Sequence, residues 1–348
     1  MFMLFDRLNA TLPADTSRLH RSPQFHEGKF QNQKQHPRKG KSSAYQYFKR
    51  LFTERNPLAV PQQPIDTQPI NKVDLLLLNA HQIHLYRLDH SSILLKLGSD
   101  FWLIDPVFSQ RASPFSFLGP KRFHQAPISI EQLPDLKGVI ISHNHYDHFD
   151  KNSIQALSKK TEVFLAPLGV DGDLIKWGVR PSQITTFDWW EQQRVNNVEL
   201  TFTPAHHYSG RGFKDNSSTL WGSWVIEFNQ QKIFFSGDSG YFAGFEEIGS
   251  KHGPFDLCLI ESGAYDLQWS AVHMQPEQSL QACLDLRGKA LLPIHNATFN
   301  LAFHPWYEPL ARISQLADEH KLILLTPKFG QLVSVGEAVN AKPWWPSN

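Results

Sequence analysis

An apolar run that ends in four side chains of metal-binding type is the feature that most constrains this sequence. Residues 138–142 (GVIIS) are apolar and β-prone, which predicts a buried strand. His143, His145, Asp147 and His148 follow within six positions. Imidazole and carboxylate groups suit Zn²⁺ and related divalent ions. Alternation along an extended segment places His143 and His145 on one side, and a turn after them brings Asp147 and His148 towards a second, nearby ion. The run therefore predicts a metal centre at the end of a strand.

One run cannot supply the ligands of two metal ions, so further ligands must come from later in the chain. Three later segments place His or Asp directly after a strand-like run, among small residues that permit tight turns. They are 203–211 with His206 and His207, 234–240 with Asp238, and 291–296 with His295. Glycines at 237 and 240 flank Asp238. A carboxylate in such a turn can bridge two cations and offset their mutual repulsion.

Short apolar runs from about residue 74 predict a β-rich domain with interleaved helices. The predicted strands are 83–88, 92–97, 101–104, 138–142, 163–166, 198–202, 223–228, 232–235, 257–260, 290–293 and 322–325. The predicted helices are 154–159, 174–178, 276–286 and 306–320. Two strand-rich halves predict two packed sheets with helices outside, in a mixed α/β domain. No Gly-x-Gly-x-x-Gly or Walker motif follows a strand, so a dinucleotide-binding parallel sheet is not expected.

The ordered set HxHxDH, His, Gly-Asp and His resembles the metallo-β-lactamase superfamily over roughly residues 75–335. The resemblance implies an α/β fold, a four-layer αββα sandwich with a binuclear site at one edge of the paired sheets. It implies two Zn²⁺ per chain, and the sequence does not separate Zn²⁺ from Mn²⁺ or Fe. The implied ligands are His143, His145 and His207 for the first ion, Asp147, His148 and His295 for the second, and Asp238 bridging both.

Motifs in the second half of the chain resemble the N-acylphosphatidylethanolamine phospholipase D family. They are PAHHYSGR (204–211), TLWGSW (219–224), GPFDL (253–257), GAY (263–265) and HMQPE (273–277). The chain departs from the animal enzyme at Glu261 and Ser262, where that enzyme has a Pro-Ile pair, and in the segment His304-Pro-Trp306. The resemblance implies a phosphodiesterase that cleaves N-acylphosphatidylethanolamine-like phospholipids. A hydroxide shared by the two ions would attack phosphorus and release phosphatidic acid.

The same resemblance implies roles for residues around the metals. Asp147 and Asp238 are catalytic as metal ligands, and His273 contacts the phosphate or protonates the leaving oxygen. Further implied roles are a substrate hydrogen bond from Tyr265, a place at the pocket mouth for His304, and orientation of ligands by His90 and Asp105. Two other interpretations stay open. One is a lactonase or soluble phosphodiester hydrolase of the same fold, and the other is a non-catalytic binding scaffold.

The first 56 residues differ in charge from the rest of the chain. They hold 11 Lys and Arg against 4 Asp and Glu, a balance of +7, so the remainder carries −6 of the net +1. We therefore divide the chain into a basic N-terminal extension at 1–56 and a catalytic domain at 57–348. Residues 11–43 are polar and aperiodic, which predicts an irregular extension. A short amphipathic helix at 43–55 either packs on the domain or contacts an anionic membrane surface.

Overall composition argues against several classes of protein. A net charge of +1 gives no whole-protein reason to expect nucleic-acid binding. No run of about 18 apolar residues predicts a transmembrane helix, and the N-terminal MFMLF is too short for the core of a signal peptide. Two cysteines, Cys258 and Cys283, do not make a disulfide framework. These features favour a cytoplasmic enzyme, and they leave open a peripheral contact with the inner face of the membrane and a homodimer.

Overall fold

The computed structural model describes residues 16–33, 50, 53–54, 56–212, 214–338 and 343–346. Helices are interleaved with runs of consecutive strands in the described part of the chain, as the apolar runs predict. In chain order the elements are α1 (Thr16–Arg21), β1 (Phe25–His26), β2 (Lys29–Phe30), α2 (Lys72–Leu77), β3 (Ile83–Arg87), β4 (Ile93–Leu97), β5 (Asp100–Ile104), β6 (Leu136–Ile140), α3 (Lys151–Leu157), β7 (Thr161–Pro167), α4 (Asp171–Lys176), a 3₁₀ turn (Pro181–Gln183), β8 (Ile184–Phe187), β9 (Gln192–Val195), β10 (Val198–Thr203), β11 (Ser223–Phe228), β12 (Gln231–Phe235), α5 (Gly244–His252), β13 (Leu257–Glu261), α6 (Pro276–Asp285), β14 (Ala290–Ile294), α7 (Glu308–His320), β15 (Ile323–Leu324) and β16 (Leu332–Ser334).

Two mixed sheets form the centre of the fold. The first has the order β16-β3-β4-β5-β6-β7-β8, with antiparallel pairing up to β5 and parallel pairing from β5 to β8. The second has the order β15-β14-β13-β12-β11-β10-β9, with parallel pairing from β15 to β12 and antiparallel pairing from there to β9. In each sheet, therefore, the strands of one part pair antiparallel and those of the other part pair parallel.

Alternation along the strands produces four layers. In β12, Ile233 and Phe235 face the core between the sheets, while Phe234 packs in an outer cluster with Phe245 of α5 and Ile313 of α7. The first sheet behaves in the same way, because its outer face packs against residues of α2, α3 and α4. Successive side chains of a strand point to opposite faces, so two-sided burial requires cover on both sides. The predicted αββα sandwich is confirmed.

Residues 16–33 are more ordered than their composition suggests. They form α1 and the β1–β2 hairpin, and Leu19 and Phe30 are buried within the core between the sheets. The expectation of an irregular segment is wrong for this stretch, because two apolar side chains anchor an otherwise polar sequence. The predicted helix at 43–55 lies outside the described residues except for positions 50, 53 and 54.

The carboxyl ends of several strands meet at one edge of the sandwich. Strands β12, β13 and β14 are parallel, and β10 runs in the same direction as β12 because both are antiparallel to β11. The chain leaves β6, β10, β12 and β14 immediately before the segments that carry the predicted ligands. Within the described ranges, no helix is long and apolar enough to cross a membrane. Both cysteines are buried as free thiols.

Candidate metal centre

Four predicted ligands converge to form one half of a candidate metal centre. The Nε2 atom of His143 lies 2.9 Å from Nδ1 of His145, and Nε2 of His207 lies 3.2 Å from that same Nδ1. Asp238 completes the group, with Oδ2 at 3.7 Å from Nε2 of both His143 and His207. Three imidazole nitrogens and one carboxylate therefore face a common point.

A second group lies directly beside the first. Oδ2 of Asp147 is 3.3 Å from Nε2 of His295 and 3.7 Å from Nε2 of His148. Asp238 also faces this group, with Oδ1 at 3.1 Å from Nε2 of His148 and Oδ2 at 3.0 Å from Nε2 of His295. The structure thus brings all seven sequence-predicted ligands together, and Asp238 is the side chain that contacts both groups.

His90 belongs to the second group as well. Its Nε2 lies 3.3 Å from Oδ2 of Asp147, and its ring packs on that of His295 with centroids 3.9 Å apart. Sequence reasoning gives this histidine only an orienting role. The structure places it among the potential ligand atoms, together with Asp147, His148 and His295.

The donor set fits divalent metal ions. Nε2 of His148, Oδ1 of Asp238 and both ring nitrogens of His295 are buried without a hydrogen-bond partner among the described residues. Several of these atoms lie 3.0–3.3 Å from a polar atom of a neighbouring residue. That distance would allow a hydrogen bond, but the angle between the two groups does not. Buried polar atoms without partners are costly, and a coordinated cation is one way to satisfy them. Imidazole and carboxylate ligands of this kind match Zn²⁺ and related ions.

Asp105 orients two of the ligands from behind. Its carboxylate accepts hydrogen bonds from Nδ1 of His148 at 2.7 Å, from the Ser142 amide at 2.7 Å and from the Ser142 hydroxyl at 2.5 Å. The Ser142 oxygen in turn accepts from Nδ1 of His143 at 2.9 Å. These bonds place the proton on Nδ1 of both rings, which leaves Nε2 free for a metal.

Backbone conformation at the site is unusual. Asp105 has φ +42° and His295 has φ +62°, a backbone region that residues other than glycine rarely adopt. Gly237 has φ +56°, and a Cβ atom there would lie 2.8 Å from the Gly222 carbonyl oxygen and 2.9 Å from Cβ of Ser142. Glycine at 237 is therefore what allows the turn that presents Asp238.

Burial and mutual charge set the protonation of the cluster. Burial holds the pKa of His143 and His207 well below the usual value and lowers the pKa of His145 to about 4. Burial would also lower the pKa of His295, but the carboxylates of Asp238 and Asp147 together outweigh it and raise that pKa to about 9. The first group therefore consists of neutral imidazoles, which are the form that binds metal.

The adjacent histidines 206 and 207 have different surroundings. Nδ1 of His206 lies 2.7 Å from the Ala271 carbonyl oxygen, while His207 has Nδ1 at 3.0 Å from the Val272 carbonyl oxygen and Nε2 in the metal group. The structure thus groups His207 with the other predicted ligands. The loop after β13 supplies the carbonyl group behind each ring.

The three other predicted site residues lie on one side of the cluster. A ring nitrogen of His273 is within 4.8 Å of Asp238 and His295 ligand atoms. Tyr265 donates its hydroxyl proton to Glu308 at 2.7 Å and stacks on the ring of His304, with centroids 4.3 Å apart. His304 lines a cavity of about 20 Å³ that reaches His90 and His295. Tyr265 therefore reaches the cavity only indirectly, by stacking on His304, which lines it.

Two supports escaped sequence reasoning. Arg211 donates from Nη1 to the carbonyl oxygens of Asn144 and Phe149, both at 2.7 Å, which bracket the ligand turn. Asn32 binds the backbone of His207 in both directions, 175 residues away in sequence. The only sequence signal for Arg211 was its place in the motif PAHHYSGR. Asn32 offered none, because nothing local ties it to the metal segment.

Sequence and fold comparisons relate this chain to a known superfamily. A family model described as Beta-lactamase superfamily domain matches residues 102–296. An uncharacterised protein of Mycobacterium tuberculosis (strain H37Rv) is 40% identical over 260 residues, covering 74% of this chain and 70% of that protein. N-acyl-phosphatidylethanolamine-hydrolyzing phospholipase D 1 of Caenorhabditis elegans is 31% identical, covering 66% of this chain and 68% of that enzyme. The structure of Igni18, a metallo hydrolase of Ignicoccus hospitalis, aligns with a TM-score of 0.56 at 18% identity over 74% of this chain and all of that one, which supports the fold.

Proposed function

Because the chain belongs to the β-lactamase superfamily and is a metal-dependent hydrolase of that fold, we propose that it is a zinc phosphodiesterase of the phospholipase D type. Its proposed substrates are N-acylphosphatidylethanolamine-like phospholipids, and its proposed products are phosphatidic acid and an N-acylethanolamine. The observation that carries the proposal is the pair of ligand groups that share Asp238. The relative in Caenorhabditis elegans, whose name states this hydrolysis, supports the choice of substrate.

Seven side chains would hold two zinc ions. They are His143, His145 and His207 on one side, Asp147, His148 and His295 on the other, and Asp238 between them. Divalent ions bound there supply positive charge that activates water and offsets the charge developing on phosphate oxygens. Asp105 and Ser142 keep the ligand rings in the tautomer that leaves Nε2 free.

His273 is the proposed general acid. In the proposed step, a water oxygen bonds to phosphorus, and the bond from phosphorus to the leaving oxygen breaks with its electron pair on that oxygen. The leaving oxygen takes a proton from His273, the attacking water releases a proton to solvent, and solvent reprotonates His273, so that one water is consumed. His273 is suited to this role because its side chain is only 14% exposed yet lies beside Asp238 and His295.

Aromatic side chains beside the metal centre support an apolar substrate. A groove of about 660 Å³ is lined by Trp306, Tyr307 and Trp344, among others. Trp306 also lines the small cavity at His90 and His295, so the groove and that cavity share one wall residue. Apolar and aromatic walls of this kind suit an acyl chain. A peripheral contact with a membrane surface would deliver such a substrate.

The test combines product analysis with metal counting. Full-length, zinc-loaded protein is incubated with phosphatidylcholine vesicles that contain N-acylphosphatidylethanolamine, and lipids are identified by mass spectrometry. Asp147→Asn removes one ligand charge at constant shape, and Asp135→Asn changes an exposed aspartate as the matched control. We expect phosphatidic acid and N-acylethanolamine from the wild type and the control, and neither product from Asp147→Asn.

Zinc content decides how a negative result is interpreted. Two zinc ions per chain without lipid turnover would refute the phospholipid substrate and favour a soluble phosphodiester or a lactone. One ion or none in protein purified with zinc would refute the binuclear site. Full activity of Asp147→Asn would refute the assignment of that ligand.

A further inference from the structure

Glu261 is a carboxyl group buried directly behind the metal centre. It is the last residue of β13 and is 0% exposed. Its Oε1 accepts a hydrogen bond from the Met274 amide at 2.8 Å, while Oε2 lies 3.3 Å from Nδ1 of His273 and 4.0 Å from Nδ1 of His295. One carboxyl oxygen therefore stands behind two histidines whose rings reach the site.

The carboxylate of Glu261 is paired with histidine side chains. Among the described residues, the cationic partners of Glu261 within 4.0 Å are His273 and His295. A buried carboxylate is costly unless it is paired or well hydrogen-bonded. Nδ1 of His295 has no hydrogen-bond partner among those residues. The two imidazoles and the carboxyl group thus complement one another.

The fold holds Glu261 in a fixed position. Its amide donates to the Ser236 hydroxyl at 2.9 Å, and its carbonyl oxygen accepts from the Ser279 hydroxyl at 2.7 Å. In the β13–β14 ladder, Glu261 pairs with Ile294, the residue before His295. The carboxyl group and the ligand are therefore positioned by the same pair of strands.

We propose that Glu261 is a positioning residue that fixes the orientation and tautomer of His273 and His295. By accepting from Nδ1 of His273, it directs the other ring nitrogen of His273 to the leaving oxygen of the substrate. By facing Nδ1 of His295, it leaves Nε2 of that ring for the metal, in the manner of a carboxylate behind a metal-bound histidine. The inference deepens the proposed phosphodiesterase function and rests on it.

Two substrates with different leaving groups separate positioning from structural support. Bis(p-nitrophenyl) phosphate has a good leaving group that needs little protonation, whereas the alkoxide leaving group of N-acylphosphatidylethanolamine needs a proton. We expect Glu261→Gln to lower kcat for the lipid about 100-fold with little change in KM, and to lower kcat for the nitrophenyl ester less than about 3-fold. Glu261→Asp keeps the carboxylate and should recover part of the lipid activity. Glu246→Gln, at an exposed glutamate, is the matched control.

A second readout follows the metal site without turnover. We expect the Glu261→Gln protein to bind its more weakly held zinc ion about 10-fold to 100-fold less tightly in competition with a chromophoric chelator. The absorption spectrum of the Co²⁺-substituted protein should shift, because the negative charge that faces Nδ1 of His295 is removed. At saturating zinc, the double variant Glu261→Gln, His273→Gln should be no slower on the lipid than His273→Gln alone, because both changes remove proton delivery by His273.

The outcomes are distinct for the inference and for the proposed function. Suppose that the wild-type protein cleaves the lipid. The role of Glu261 would then be overturned if Glu261→Gln lost kcat equally on both substrates, or if it kept wild-type kinetics and zinc affinity. No lipid turnover by the zinc-loaded wild type would instead refute the proposed substrate. In that event the chelator competition and the Co²⁺ spectrum still test Glu261, and wild-type zinc affinity in Glu261→Gln would overturn its role. If Glu261→Gln does not fold, Glu261→Asp takes its place in the test. The inference is then overturned if the ratio of kcat for the lipid to kcat for the nitrophenyl ester is the same in Glu261→Asp as in the wild type.

Discussion

Replacing Asn32 by alanine should weaken the metal centre although Asn32 contacts no metal. The Asn32 amide donates to the His207 carbonyl oxygen at 2.8 Å, and the His207 amide donates back to Oδ1 at 3.1 Å. Nε1 of Trp221 also donates to Oδ1, at 3.0 Å, and keeps a second acceptor in the Ala205 carbonyl group. Asn32→Ala therefore removes three hydrogen bonds, of which two hold the backbone of a predicted ligand.

The size of the effect follows from those bonds. A hydrogen bond contributes about 1 kcal/mol net. Water can reach a half-buried position, and Trp221 keeps its other acceptor, so we expect a loss of about 2 kcal/mol rather than 3. For a chain of this size that is a fall of about 3 °C in the midpoint of thermal unfolding. Because His207 loses its backbone anchor, zinc affinity should fall as well.

The assay is thermal unfolding and chelator competition on the same preparations. Gln33→Ala changes the neighbouring exposed side chain and is the matched control. Asn32→Asp keeps the acceptor for Trp221 and for the His207 amide but turns an oxygen towards the His207 carbonyl group. It should therefore bind zinc more weakly than the wild type while losing less stability than Asn32→Ala. If Asn32→Ala and Gln33→Ala unfold within 1 °C of each other and hold zinc equally well, the reasoning is refuted.

Three further predictions concern other supports of the fold and site. Arg211→Lys loses the planar guanidinium, which stacks 4.0 Å from the ring centroid of Tyr146 and holds Nη1 against both carbonyl oxygens. Zinc affinity should therefore fall about 10-fold in chelator competition, whereas Arg194→Lys at an exposed position should leave it unchanged. Phe30→Ala empties a core position and should cost about 3–5 kcal/mol in urea unfolding, against a smaller cost for the half-buried Phe25→Ala; equal costs would contradict the burial of the hairpin. Burial lowers the pKa of His124 to about 3, so the folded state keeps this ring neutral while the unfolded chain takes up a proton below pH 6.5. Stability should therefore fall as the pH drops from 6.5 towards 3, by up to about 1.4 kcal/mol per pH unit from this group, and a His124→Gln variant with the same pH slope would count against it.

Strand positions and the ligand segments were predictable because they obey local rules. Buried strands such as β6 and β12 are short apolar runs, and the polar residues that follow them must lie at the sheet edge. The edge strands β8, β9 and β16 were missed for the opposite reason, whereas the edge strand β15 was predicted. The sequence of β9 is QQRV, half exposed and paired on one side only, so it carries little apolar signal.

Contacts between distant segments account for what the sequence did not predict. The hairpin at Phe25–Phe30 is short and polar, and its order comes from the burial of Phe30 against strands far along the chain. The family resemblance implied only an orienting role for His90, which lies far from the other ligands in sequence. Its place in the second group follows from the backbone, since the His295 amide donates to the His90 carbonyl oxygen at 2.8 Å.

Ligands and supports are encoded differently, and this difference has a mechanistic consequence. The ligands must converge on two points, so they lie at strand ends or within one tight turn. The supports act on backbone or on the far nitrogen of a ring, and they come from wherever the fold brings a polar group into contact: Asn32 on His207, Arg211 on the ligand turn, and Glu261 on His273 and His295. A change of support leaves the ligand set intact and alters tautomer, orientation or affinity instead. Two proteins with the same ligands can therefore differ in metal affinity and in proton delivery, and on this reasoning Glu261 is the position at which this chain sets both.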